Sequence, residues 1–108
     1  MANFKCKITV LKRGLYEDLQ KEYLSNPNAG KCSTFVEGQE FIVDDKNYWR
    51  MLNGKFCTGA WDAISKYVYA AIQGGSFLRD WNKDENVMIV CCSDGTRPVT
   101  FKLERIDE

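Results

Sequence analysis

The chain of 108 residues contains no histidine, only two prolines and no net charge, with 15 basic residues set against 15 acidic ones. Each absence removes a class of function. Without imidazole, a Cys–His or Ser–His nucleophile pair is excluded within one chain, and metal chemistry has to run on thiolate or carboxylate. Without a basic excess, the electrostatic drive for binding a nucleic-acid backbone is missing, so no nucleic-acid partner is expected. No apolar run approaches the ~20 residues that span a bilayer, and no membrane association is expected. The opening Met1-Ala2-Asn3-Phe4-Lys5-Cys6-Lys7 lacks the long apolar stretch of a secretory signal. A glycine-rich phosphate loop, paired catalytic carboxylates and a nucleophile elbow are also missing. The expectation is a cytoplasmic protein whose thiols are reduced at rest.

Five cysteines stand out against this background, at positions 6, 32, 57, 91 and 92. An odd count argues against a closed disulfide framework. Hydrophobic residues make up 44% of the chain and aromatics 13%, enough for a core without a metal or disulfide staple. The length predicts one domain over residues 1–108.

The apolar pattern changes period along the chain. Phe4, Cys6, Ile8 and Val10 alternate with Lys5, Lys7 and Thr9, which predicts a strand with one wet face. Leu15, Leu19 and Tyr23 at intervals of four predict a helix over Leu15 to Leu24, ended before Pro27. Residues 25–34 read as loop and Gln39 to Asp44 as a short strand. The stretch 48–57, broken by Asn53-Gly54, reads as an irregular turn leading to Cys57. Trp61, Ile64, Val68, Ala71 and Ile72 mark the main helix, from an N-cap at Thr58 to a stop at Gly74-Gly75. Val87 to Cys92 is uninterrupted apolar, which predicts a strand covered on both faces. Val99, Phe101 and Leu103 alternate in a last strand, joined to it by Ser93-Asp94-Gly95-Thr96. The order β-α-β-α-β-β implies an α+β domain, a mainly antiparallel sheet with two helices on one side.

Several stretches resemble a known family: Lys7-Ile8-Thr9-Val10, Glu37-Gly38-Gln39-Glu40-Phe41-Ile42-Val43, Phe56-Cys57 with Ala60-Trp61, Gly74-Gly75, and Cys92-Ser93-Asp94-Gly95 with Pro98-Val99 and Phe101. The family is a set of short, uncharacterised, cysteine-bearing proteins of bacteria and archaea, many of them anaerobes. The resemblance covers nearly the whole chain and picks out Cys32, Cys57 and Cys92; relatives carry proline after the last of these, where this chain has Ser93. It implies no reaction.

Cys32, Cys57 and Cys92 all lie at element ends, and such ends can converge on one rim of a sheet. Gathered together, three thiolates with Cys91, a carboxylate or an open position as the fourth ligand would suit zinc or an iron–sulfur cluster. No Cys-x-x-Cys spacing supports this, and neighbours in a strand such as Cys91 and Cys92 point to opposite faces. The other chemistry open to the same residues is a redox-active or nucleophilic thiol. Cys57, at the entrance of the main helix, is the first choice, with Lys55 or Arg97 supplying charge. Trp61, Trp81, Asp94 and Arg97 are candidate pocket residues, the last two as an anion-binding pair beside Cys92. The bland alternative is that the cysteines are small core residues. A non-enzymatic binding module, including a homo-oligomer, is the competing function, carried by Tyr48, Trp49, Phe77 and Trp81.

Overall fold

Alternation at the N-terminus becomes the longest strand of a four-stranded sheet. The computed structural model of the chain describes residues 4–75 and 80–107. Strand β1 (Phe4–Arg13) buries Cys6, Ile8 and Val10 and keeps Lys5, Lys7 and Thr9 on the other face. It pairs with β2 (Glu40–Val43) on one side and β4 (Val99–Asp107) on the other; β3 (Val87–Cys91) closes the order β2-β1-β4-β3. Every pairing is antiparallel. Registers Ile8–Leu103 and Val10–Phe101 put the inward residues of the two central strands side by side. On the outer face, Lys7 lies within ion-pair range of Glu40 and Glu104, and Lys102 within range of Glu104.

Helix α3 (Thr58–Ile72) covers the inner face. Its stripe is as expected: Ala60, Ile64, Val68, Ala71 and Ile72 are buried, with Trp61 half-buried at the edge. Fully burying a side chain of the size of Ile8, Ile64 or Leu103 contributes about 1.5–3 kcal/mol. The helix ends where Gly74 turns left-handed at φ 77°, and a Cβ there would meet the Phe4 ring at 3.0 Å. The residue that caps the other end is Cys57, not Thr58, which is the first residue of the helix.

Three further expectations need correction. Strand β3 is covered on one face only: Met88 is buried while Ile89 and Cys91 are exposed. It is an edge strand, and its apolar run reflects β-propensity rather than double burial. Helix α1 is shorter than expected (Glu17–Tyr23), with Leu19 and Tyr23 exposed and Gln20 buried. Hydrogen bonding overrides the apolar spacing there. The Gln20 amide accepts the Gly30 N–H at 2.9 Å and donates to the Gly30 carbonyl at 3.0 Å and the Thr96 hydroxyl at 3.3 Å. Finally, among the described residues three α-helical segments and a 3₁₀ turn occur rather than two helices, because residues 48–57 contain ordered turns. Phe77 lies outside the described residues.

Those turns set up the entrance of α3. A 3₁₀ turn (Tyr48–Arg50) runs into α2 (Met51–Gly54), whose four residues all have positive φ: 49°, 54°, 59° and 77°. This is a left-handed turn, which costs an L-residue about 1–2 kcal/mol per position. Leu52 offsets part of that cost by burying its side chain and donating its N–H to the Asn47 carbonyl at 3.0 Å. The reversal drops Phe56 into the core and starts α3 at Cys57.

Two predictions follow from this packing. Gly54→Ala should cost about 1 kcal/mol in denaturant unfolding, because a Cβ there has open space but the wrong backbone conformation. Gly95→Ala, also in open space but without positive φ, should stay within about 0.5 kcal/mol of the parent. The Cys6 thiol, fully buried, is pushed up to about 12 by burial, from 9.0. The folded state keeps it neutral while the unfolded chain ionises above pH 9. Its contribution is therefore complete below pH 9 and is lost as pH rises toward 12. Between about pH 9 and pH 10.5, unfolding free energy should fall by roughly 2 kcal/mol more in the parent than in Cys6→Ala. Equal pH slopes would contradict this.

Candidate functional site: a thiol-lined cavity

Three connections meet at one end of the sheet, beside the N-terminus of α3. The first carries Cys32. A register shift in the β1–β4 pairing between Val10 and Lys12 alters the ladder just before Arg13. Arg13 Nη1 then donates to the Cys32 carbonyl at 2.9 Å, and Arg13 Nη2 lies 3.8 Å from Glu37. The Gln20 clamp fixes the same loop at Gly30 and ties it to Thr96 in the β3–β4 turn.

The second connection carries Cys57. Its extended backbone (φ −66°, ψ 126°) precedes the helix, and its carbonyl accepts the Trp61 N–H at 2.9 Å. Its side chain makes no capping hydrogen bond. The sulfur is therefore not committed to the helix it precedes.

The third connection carries Cys92. Its N–H donates to the Val99 carbonyl at 3.0 Å, and its Sγ accepts the Val99 N–H at 3.2 Å. Beyond it the turn winds around Asp94. One carboxylate oxygen accepts the Thr96 N–H at 3.0 Å, the Thr96 hydroxyl at 3.2 Å and the Arg97 N–H at 3.3 Å. The other accepts Arg97 Nε at 3.0 Å. Burial works against the charge on Asp94. The hydrogen bonds from Thr96 and Arg97 together outweigh it and hold the carboxyl below its ordinary range. The Asp94 hydrogen bond in turn holds the Arg97 guanidinium above its ordinary value, against partial burial, with smaller support from Cys32 and Cys92.

Cys32, Cys57 and Cys92 line one cavity of about 350 Å³ together with Asp94 and Arg97. Phe35, Ala60 and Val99, all buried, contribute apolar wall; Thr34, Gly59 and Ser93 complete it. All three cysteines are free and half-buried. The other two sulfurs are elsewhere. Cys6 is in the core, and Cys91 is exposed on the outer face of β3, so neither lines the cavity. The geometry thus does not bring Cys91 in as a fourth ligand. Among the described residues, no group of three or more His, Cys, Asp or Glu is placed to hold a metal ion.

Two of the four expected pocket residues are absent from the cavity. Trp61 packs its ring against Tyr48 and Phe56, with centroids 5.2 and 5.7 Å away, and closes the core edge. Trp81 is 79% exposed and does not line the cavity. Of the aromatic set read as an association surface, Trp49 is exposed and Tyr48 is half-buried. Trp49 is braced by Tyr48 and Tyr69, with centroids 5.1 and 5.8 Å from its own. Arg13, Gln20 and Phe35, which position the site, were not singled out by the sequence. Only Phe35 carried a signal, as half of the apolar pair Phe35-Val36 in a mostly polar loop.

No helix among the described residues is long and apolar enough to cross a membrane. No protein-family model, curated protein or solved structure matches the chain.

Proposed function

We propose that the cavity is a thiol–disulfide exchange site that reacts with a small disulfide. The observation that carries this reading is the meeting of three free cysteines, from three separate connections, around one 350 Å³ space. That volume suits a small molecule, at the lower end of the usual range of ligand sites. Zinc or an iron–sulfur centre would use the same sulfurs, but no ligand group of the needed size is gathered among the described residues. The first exchange step involves one protein sulfur only, and the second brings just two of the three cavity sulfurs to bonding distance, about 2 Å.

The chemistry balances without a cofactor. Cys57, as thiolate, attacks one sulfur of the incoming disulfide. A new S–S bond forms, the old one breaks, and its electron pair leaves on the departing thiolate. Cys57 is the choice for this step because its half-buried sulfur stands at the entrance of the main helix and is not tied up in a capping hydrogen bond. A second cavity thiolate, from Cys32 or Cys92, then attacks the Cys57 sulfur and releases the other half of the substrate. In sum, two protein thiolates become one disulfide, and one small disulfide becomes two small thiolates. Cys6 takes no part, since burial keeps it protonated and inaccessible.

The test uses reduced protein purified without oxygen. Metal content is measured first. Substoichiometric hydroxyethyl disulfide is then added, and the products are mapped by mass spectrometry. The expected outcome is metal-free protein whose first mixed disulfide is on Cys57 and which matures to a Cys57–Cys32 or Cys57–Cys92 bond. Stoichiometric zinc or iron would overturn the proposal. So would first reaction at Cys91 with the cavity thiols left reduced.

A further inference from the structure

Arg97 is held in an unusual way for a surface arginine. Its Nε is bound to Asp94 at 3.0 Å, and its own N–H is bound to the same carboxylate. The turn that presents Asp94 is itself fixed by the Thr96 hydroxyl, which accepts from buried Gln20. Three hydrogen-bonded layers therefore stand behind one guanidinium. Among the described residues, neither terminal nitrogen of Arg97 makes a hydrogen bond. The end left open is the planar fork that matches a carboxylate with two parallel N–H···O bonds. Arg97 and the three thiols line the same cavity.

We infer that the cavity selects small disulfides that carry a carboxylate, with the free end of the Arg97 fork as the anion anchor and Asp94 as its positioning residue. This rests on the exchange reading above and adds the substrate class to it. The carboxylate seats on the two terminal nitrogens while the S–S bond lies among the sulfurs. Asp94 does not repel the anion as a free carboxylate would. Its charge is spent on Thr96 and Arg97, and it uses only the Nε edge of the fork. Lysine could supply the charge here but not the two-pronged geometry.

The test compares two probes, anionic dithiodiglycolate and neutral hydroxyethyl disulfide. Their rates at the cavity cysteines are each divided by the rate at the same cysteine in urea-unfolded protein, which removes the intrinsic reactivity of the reagent. A charge-assisted pair predicts an anionic preference of about tenfold to a hundredfold in the parent. The preference should collapse toward unity in Arg97→Gln and be intermediate in Arg97→Lys. It should also fall in Asp94→Asn, which keeps the arginine charge but frees the fork. Added salt should reduce it partly. No preference in the parent, or an undiminished one in folded Arg97→Gln, would overturn the inference while leaving thiol exchange standing. Failure of both probes to react at any cavity cysteine would overturn the exchange reading and this one with it.

Discussion

Four phenylalanine rings pack together in the core, one of them, Phe35, also forming part of the cavity wall, and the arrangement of the cavity depends on their packing. Phe35 sits against Phe41, Phe56 and Phe101 with centroid separations of 6.1, 5.1 and 5.2 Å, and Phe41 and Phe56 are 4.9 Å apart. Each such pair contributes about 0.5–1.5 kcal/mol beyond its buried area. The rings come from three distant parts of the chain, and each carries a cysteine with it. Cys32 precedes Phe35 by three residues, Cys57 follows Phe56 directly, and Cys92 is hydrogen-bonded to Val99, two residues before Phe101. Seating the rings in one cluster therefore delivers three sulfurs to one cavity. The sulfurs need no attraction of their own to meet.

The surrounding polar bonds then determine what the sulfurs face. Arg13 and Gln20 anchor the Cys32 loop from two sides, while the left-handed turn Met51–Gly54 directs Phe56 inward and leaves Cys57 at the helix entrance. The Asp94 turn holds an arginine that lines the same cavity. Three of the four non-glycine residues with positive φ, Met51, Leu52 and Asn53, and the one buried polar side chain among the described residues, Gln20, occur in segments that position this cavity. The sheet's outer face, by contrast, is held by partly exposed ion pairs worth little individually.

The fold was largely legible because it follows from two periods. Alternation located β1 and β4, and a 3.6-residue stripe located α3. The same logic failed at β3, where an apolar run looks alike in a central strand and an edge strand. It failed again at α1, where Gln20 is buried for its hydrogen bonds and not for its hydropathy. Cys32, Cys57, Cys92, Asp94 and Arg97 line one cavity, and they stood out in the sequence because each sits in a connection, where the chain can deliver side chains to a rim. The exclusion of Cys91 followed from strand geometry, since adjacent residues face opposite ways. Trp61 and Trp81 misled because an aromatic side chain gives the same sequence signal at a core edge, on an open surface and in a pocket. Arg13 and Gln20 were invisible. Their role depends on contacts with Cys32, Gly30 and Thr96, the last of them 76 residues away in sequence, and no local pattern encodes such a contact.

Sharing of one space by three thiols can be measured directly through mutual exclusion. Reduced protein is treated with limiting N-phenylmaleimide, the singly modified species are separated by their site of attachment, and the remaining cysteines are titrated in each. Convergence on one cavity predicts that an adduct on Cys32, Cys57 or Cys92 strongly slows modification of the other two and leaves Cys91 untouched. Three adducts that accumulate independently, each at its unperturbed rate, would contradict it.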